Sequence, residues 1–194
     1  MKKVRIETSR GKKLAATIHY PQSPTTQLAI LCPGYLDTKE YPHLIHLANA
    51  LAGKGFTAVR FDFTGTWESE GTIEDYTISQ QMDDIKSIIA FMLAEAPYDH
   101  ILLGGHSRGG TVSLLYAAQD ATISKVLAIM SPPVLTKTAR EKIEQWKKDG
   151  FRISRRDIPG ESKEKEFRVP YANIEDAGRY NALESMRQIH IPLL

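Results

Sequence analysis

The sequence has one cysteine, Cys32, which excludes an intrachain disulfide and a cysteine-built zinc site. It has no apolar run of the length that crosses a bilayer, so no membrane span is expected. Met1-Lys2-Lys3 is followed by Val4-Arg5-Ile6-Glu7 rather than an apolar stretch. No secretory signal is read there, and the reading places the protein in the cytoplasm. An excess of one charge is also lacking: 25 Lys and Arg face 23 Asp and Glu, for a net charge of +2. Nucleic acid therefore has no electrostatic claim as a partner. Internal repeats and low-complexity tracts are missing too. What remains is a chain of 194 residues, 42% hydrophobic, which is one domain able to bury a core without staples.

Two extended runs open the chain. Val4-Arg5-Ile6-Glu7 alternates apolar and polar, Leu14 to Tyr20 follows, and Gly11 between them predicts a hairpin. Leu28-Ala29-Ile30-Leu31-Cys32, stopped by Pro33-Gly34, is too short for a helix and reads as a buried strand. Leu44, Ile45, Leu47, Ala48, Leu51 and Ala52 share one helical face that Gly53 and Gly55 end. A strand follows over Phe56–Phe61, then a helix carrying Ile78, Met82, Ile85, Ile89 and Met92, with Thr77 and Gln80 at capping-box spacing. A strand at Ile101–Leu103, a helix from Thr111 to Gln119 and a strand from Lys125 to Met130 complete the alternation. Such alternation predicts an α/β fold: a mostly parallel sheet, helices on both faces, and the initial antiparallel pair at one edge. Residues 1–133 form this core. Residues 137–168 carry 11 basic and 7 acidic side chains and little strand character. Residues 134–188 are therefore predicted to be a small helical cap above the sheet, and 189–194 the opening of a seventh sheet strand.

Gly105-His106-Ser107-Arg108-Gly109 matches G-x-S-x-G. The pentapeptide alone is a weak signal, but a strand precedes it and an apolar helix with Val112, Leu115 and Tyr116 follows, the setting of a nucleophile elbow. Side chains near the serine would collide across so sharp a turn, and Gly104, Gly105, Gly109 and Gly110 remove them. The helix that starts at Ser107 aims its first N–H groups at developing negative charge. A phosphate-binding turn is the competing reading, but the Lys-Ser/Thr of a P-loop is not there.

With this motif the sequence resembles the α/β-hydrolase superfamily, in particular its cinnamoyl/feruloyl-esterase-like and serine-aminopeptidase-like members. Two further segments carry the resemblance. Cys32-Pro33-Gly34-Tyr35 looks like the family's oxyanion turn, with Pro33 in place of its histidine. Arg60-Phe61-Asp62-Phe63-Thr64-Gly65-Thr66-Trp67-Glu68-Ser69-Glu70-Gly71 looks like its Arg-Phe-Asp-Phe-x-Gly-His-Gly-x-Ser-x-Gly segment, with Thr66-Trp67 in place of His-Gly. The resemblance implies hydrolysis of a carboxylic ester through an acyl-serine intermediate, with a small-molecule acyl substrate. Ser107 would be the nucleophile, and the backbone N–H groups of Tyr35 and Arg108 the oxyanion hole, worth about 3 kcal/mol each. Serine aminopeptidase and acyl-thioesterase chemistry remain open alternatives, as does a non-catalytic binding or scaffold protein on the same fold.

A serine also needs a general base, and in this fold the acid and the histidine follow it in the chain. After Ser107 the only histidine is His190, directly ahead of the seventh-strand pattern and at the wrong end of the sheet. The chain is therefore read as an N-terminal, truncated portion of a serine hydrolase, inactive by itself, with an exposed sheet edge open to self-association. No metal or organic cofactor is implied. His43 and His46 lie three apart on a helix but have no partner pair in the sequence, and are read as surface residues. Cys32 reads as core and Asp62 as a clamp on the loop that follows it. Trp67 and Trp146 are candidates for the acyl pocket, and Arg152, Arg155 and Arg156 for a solvated face.

Overall fold

Alternation along one central strand divides the core. In β3 (Gln27–Cys32), Leu28, Ile30 and Cys32 join one buried cluster, while Ala29 and Leu31 join another. The computed structural model describes residues 1–136 and 140–194. In it β3 is flanked on both sides by parallel partners, β4 (Thr57–Phe61) and β5 (His100–His106). β6 (Ile123–Ile129) lies parallel beyond β5. On the other side, β2 (Lys13–His19) runs antiparallel to β4, and β1 (Lys2–Glu7) closes that edge as a hairpin partner. The order is β1-β2-β4-β3-β5-β6. Residues 192–194 lie parallel to β6 in an isolated bridge: Val126 N–H donates to Pro192 O at 3.0 Å and Leu194 N–H to Val126 O at 2.9 Å.

Helix α1 (Pro42–Gly53) buries Leu44 and Ala48 against Ala29, Leu31, Ala58 and Leu102. On the opposite face α2 (Ile78–Glu95) and α3 (Arg108–Ala117) bring Ile85, Ile88, Met92, Val112 and Leu115 onto Leu28, Ile30 and Leu103. The capping box expected at α2 forms by half. The Thr77 hydroxyl accepts from Gln80 N–H at 3.2 Å, but the Gln80 side chain turns inward and donates to Asp84.

The cap region departs from the expected helical character. Helix α4 (Arg140–Asp149) is followed by an antiparallel hairpin, β7 (Phe151–Asp157) and β8 (Glu164–Pro170), then short helices α5 (Ala172–Ala177) and α6 (Ala182–Met186). Few apolar side chains mark this hairpin. Phe167 and Val169 are buried on β8, but the one buried position of β7 is Ser154. Of the expected 134–188 cap, residues 137–139 lie outside the described residues.

Asp84 ties α2 to the loop after β4. Its carboxylate, fully buried, accepts from Thr64 N–H at 2.8 Å, the Thr64 hydroxyl at 2.7 Å and Gln80 Nε2 at 2.8 Å. Burial nevertheless pushes its pKa from 3.8 up to about 6. The folded chain thus holds this proton more tightly than the unfolded one. The stabilisation is complete below pH ~4 and is lost as pH rises through ~6, about 3 kcal/mol in all. Thermal melts between pH 4 and 7 should show this decline, and Asp84→Asn should flatten it.

Candidate active site

Ser107 sits between β5 and α3 with φ 52° and ψ −122°, a backbone conformation that costs a non-glycine residue roughly 1–3 kcal/mol. The surrounding bonds hold it there. Ser107 N–H donates to Ile129 O on β6 at 2.8 Å, and its own carbonyl accepts from Thr111 N–H at 3.2 Å. The turn packs directly on the end of β3. A Cβ on Gly105 would strike Cys32 O, and one on Gly109 would strike the carbonyl oxygens of both Cys32 and Pro33. Cys32 itself is wholly buried, with its thiol pushed up to about 12 by burial. It is a core residue, as read from the sequence.

Facing the elbow is the turn after β3. Gly34-Tyr35-Leu36 is held on every side: Arg156 donates to Tyr35 O through Nε (3.0 Å) and Nη2 (2.8 Å), Leu36 N–H donates to the Tyr76 hydroxyl (2.8 Å), and Trp67 Nε1 donates to Leu36 O (2.8 Å). Among the described residues neither Tyr35 N–H nor Arg108 N–H has an acceptor. Beneath this turn Asp62 accepts from Lys39 N–H (2.7 Å) and Lys39 Nζ (3.2 Å), which makes it a clamp on this loop as well as on its own. Burial pulls the Lys39 ammonium down, but Asp62 and Glu68 outweigh it and hold it above the ordinary lysine range.

The Arg108 side chain is buried. It stacks on the rings of Tyr35 (5.2 Å) and Tyr76 (4.9 Å) and donates to Gln81 Oε1 (3.2 Å) and Asn173 Oδ1 (3.1 Å). Those acceptors are neutral, so the guanidinium leaves a net positive charge one residue from Ser107. His106, on the other side of the serine, is half-buried at the carboxyl end of β5. Its ring packs edge-on against His43 at 5.2 Å, and its Nδ1 lies 3.8 Å from Asp37 Oδ2. Partial desolvation first, and His106 second, hold the otherwise exposed His43 below the ordinary imidazole range. Burial pushes the Asp37 carboxyl up, with Arg156 and the two histidines partly offsetting it.

A cavity of about 190 Å³ opens beside Ser107, walled by Tyr35, Leu135, Trp146, Ile174 and Ala177. A larger hollow of about 400 Å³ lies between α4 and β7 and shares Trp146 and Arg152 with the serine's cavity. Trp146 lines the first while its Nε1 anchors α4 to Val169 O at 3.0 Å. Trp67 does not line it. Its indole is committed to Leu36 and its ring to Phe167 and Tyr41, so it braces the turn instead. Arg156 likewise leaves the expected solvated face and reaches Tyr35 and Asp37, whereas Arg155 pairs with Glu166 at the surface. Tyr76, Asn173 and the group Asp37–His43–His106 escaped the sequence reading. The last was legible in principle, because β3 and β5 are neighbours whose carboxyl ends present Asp37 and His106 side by side. Among the described residues no side chain hydrogen-bonds the Ser107 hydroxyl, and His190 is exposed at the other end of the sheet.

The elbow contacts give a direct check. Gly109→Ala should lose more than about 3 kcal/mol of stability, or fail to fold, because backbone on both sides cannot yield. Gly53→Ala, with open space around it, should be neutral or gain up to about 1 kcal/mol in the same urea titrations.

The family described as alpha/beta hydrolase fold matches residues 29–163. Palmitoyl-protein thioesterase ABHD10, mitochondrial, of Bos taurus is 28% identical over 179 residues, covering 84% of this chain and 53% of that protein. The chain thus spans about half the length of the curated relatives it matches first. An uncharacterized 31.7 kDa protein of Escherichia coli is 23% identical over 215 residues, covering 93% of this chain and 75% of that one. Among solved structures, Est1E from Butyrivibrio proteoclasticus with ferulic acid superposes with a TM-score of 0.75 at 19% identity, covering 98% of this chain and 76% of that chain. No helix among the described residues is long and apolar enough to cross a membrane. With a matched segment running from β3 through the elbow to the turn between β7 and β8, the chain belongs to the α/β-hydrolase fold family.

Proposed function

We propose that this chain carries the nucleophile and oxyanion hole of a serine acyl hydrolase that cleaves a carboxylic ester. The observation that carries the reading is Ser107 at φ 52°, beside two backbone N–H groups, Tyr35 and Arg108, without acceptors among the described residues. Ser107 Oγ attacks the acyl carbonyl carbon. The carbonyl π electrons move to oxygen, which the two N–H groups and the nearby Arg108 charge stabilise. Collapse of the tetrahedral species expels the leaving group, and water then releases the acid from the acyl-serine. The serine proton must pass to a base. Since no described side chain bonds the Ser107 hydroxyl, the 194 residues alone are expected to react slowly.

The site's shape suggests the acyl class. Its lining sets Leu135, Trp146, Ile174 and Ala177 beside the polar Arg108, Arg152 and Asn173, and about 190 Å³ falls below the roughly 300–1,000 Å³ of drug-sized ligand sites, which favours a short acyl group over a long chain. A thioester is the second reading, supported by relatives named palmitoyl-protein thioesterases.

The whole protein should hydrolyse p-nitrophenyl acetate or butyrate faster than the palmitate ester. Ser107→Ala should lower kcat/KM by about a thousandfold or more. Mass spectrometry after fluorophosphonate treatment should map the adduct to Ser107. Turnover that survives Ser107→Ala would remove the serine from this role, and a preference for palmitoyl over butyryl thioester would overturn the short-acyl reading.

A further inference from the structure

Outside the serine's own pocket, one group of side chains is arranged as ligands without a ligand. Asp37, from the turn after β3, His43, from the first turn of α1, and His106, from the end of β5, each present a donor atom, and the three atoms lie within 4.8 Å of one another. We propose that these three residues bind a divalent transition-metal ion, Zn²⁺ foremost, which cross-links the oxyanion turn to the nucleophile elbow.

Four observations carry this. First, His106 Nδ1 is buried with no hydrogen-bond partner, and its nearest acid oxygen, Asp37 Oδ2 at 3.8 Å, is beyond hydrogen-bond reach. A buried ring nitrogen left idle is uncommon and asks for a partner. Second, the space between them is kept open by Gly34. A Cβ there would collide with Asp37 Oδ2 and come to 3.4 Å from His106 Nδ1. Third, the two oxygens of Asp37 are divided. Oδ2 faces His106, while Oδ1 faces Arg156 Nε at 3.5 Å. That division suits a ligating carboxylate, one oxygen for the ion and the other oriented by a donor behind it. Fourth, two imidazoles and one carboxylate are a donor set matched to zinc. Tetrahedral coordination at about 2.0–2.1 Å places ligand atoms about 3.3 Å apart, so the three side chains would have to close in from within 4.8 Å. His43 is exposed, so the ion has a route in, and a fourth position is left for water.

The location gives the site a consequence. His106 immediately precedes Ser107, Asp37 follows Tyr35 by two residues, and Arg156 links Asp37 to the Tyr35 carbonyl. An ion here would fix the spacing between the two halves of the oxyanion hole.

Zn²⁺ titrated calorimetrically into the metal-stripped 194-residue chain should bind one-to-one with micromolar or tighter Kd and raise Tm. Co²⁺ in its place should give the visible absorption of a four-coordinate site. His43→Ala, on an exposed position, and Asp37→Asn, nearly isosteric, should each weaken binding about tenfold or more and abolish the Tm rise. His46→Ala should change neither. Absence of saturable binding below millimolar Zn²⁺, binding indifferent to His43→Ala and Asp37→Asn, or binding lost in His46→Ala would each overturn the assignment.

Discussion

Two backbones meet at a distance that admits no side chain. The elbow after β5 lies against the last carbonyls of β3, and the clearance exists because residues 105 and 109 are glycine. This contact places Arg108 N–H and Tyr35 N–H on adjoining loops, and it holds Ser107 in a conformation that an isolated chain would leave. Parallel pairing of β3 with β5, from Gln27–His100 to Cys32–Gly105, brings those two strand ends level. The sheet therefore supplies the alignment and the glycines supply the proximity.

The loops above the sheet are secured by polar groups from distant parts of the chain. Tyr76, Trp67 and Arg156 each bond the backbone of the turn at residues 35 and 36, from three different segments. Lys39 and Asp62, both buried, fasten the turn from below. A buried pair of this kind adds less to stability than its proximity suggests, because both charges are stripped of water. Its effect is on geometry: removing Lys39 strips buried Asp62 of its countercharge, whereas Lys39 without Asp62 keeps Glu68 and Glu40. Helix α5 joins the same scheme through Asn173, which receives a hydrogen bond from Arg108 and donates one to the Tyr76 carbonyl.

Most of the sheet was readable from the sequence because its strands are buried on both faces. Runs such as Leu28–Cys32 and Ile101–Leu103 announce themselves by continuous apolar character, and Gly105 to Gly109 by composition. The β7–β8 hairpin carried no such signal. Its side chains are charged on the outer face, and a serine occupies the inner position of β7, so the period-2 pattern is nearly silent. The sequence also pointed to the places of Ser107, Tyr35, Arg108 and Trp146, through the motif, the resemblance and aromatic content, and these four line one cavity. The roles of Tyr76, Arg156 and Trp67 were not legible, because each depends on contacts spanning 31 to 121 residues. His43 was paired in sequence with His46, yet folding turns it toward His106 instead.

Cys32 ends β3 with its carbonyl under the elbow and its sulfur sealed in the core. As the only thiol in the chain, and one with an acidity pushed to about 12, it is shielded from electrophiles both by lack of access and by lack of thiolate. Its alkylation must wait for the centre of the sheet to open. The chain thus contains a built-in clock for that opening: the labelling rate of a single native atom, when reclosing outpaces the alkylation step, reports the free energy of exposing the floor on which the serine turn rests.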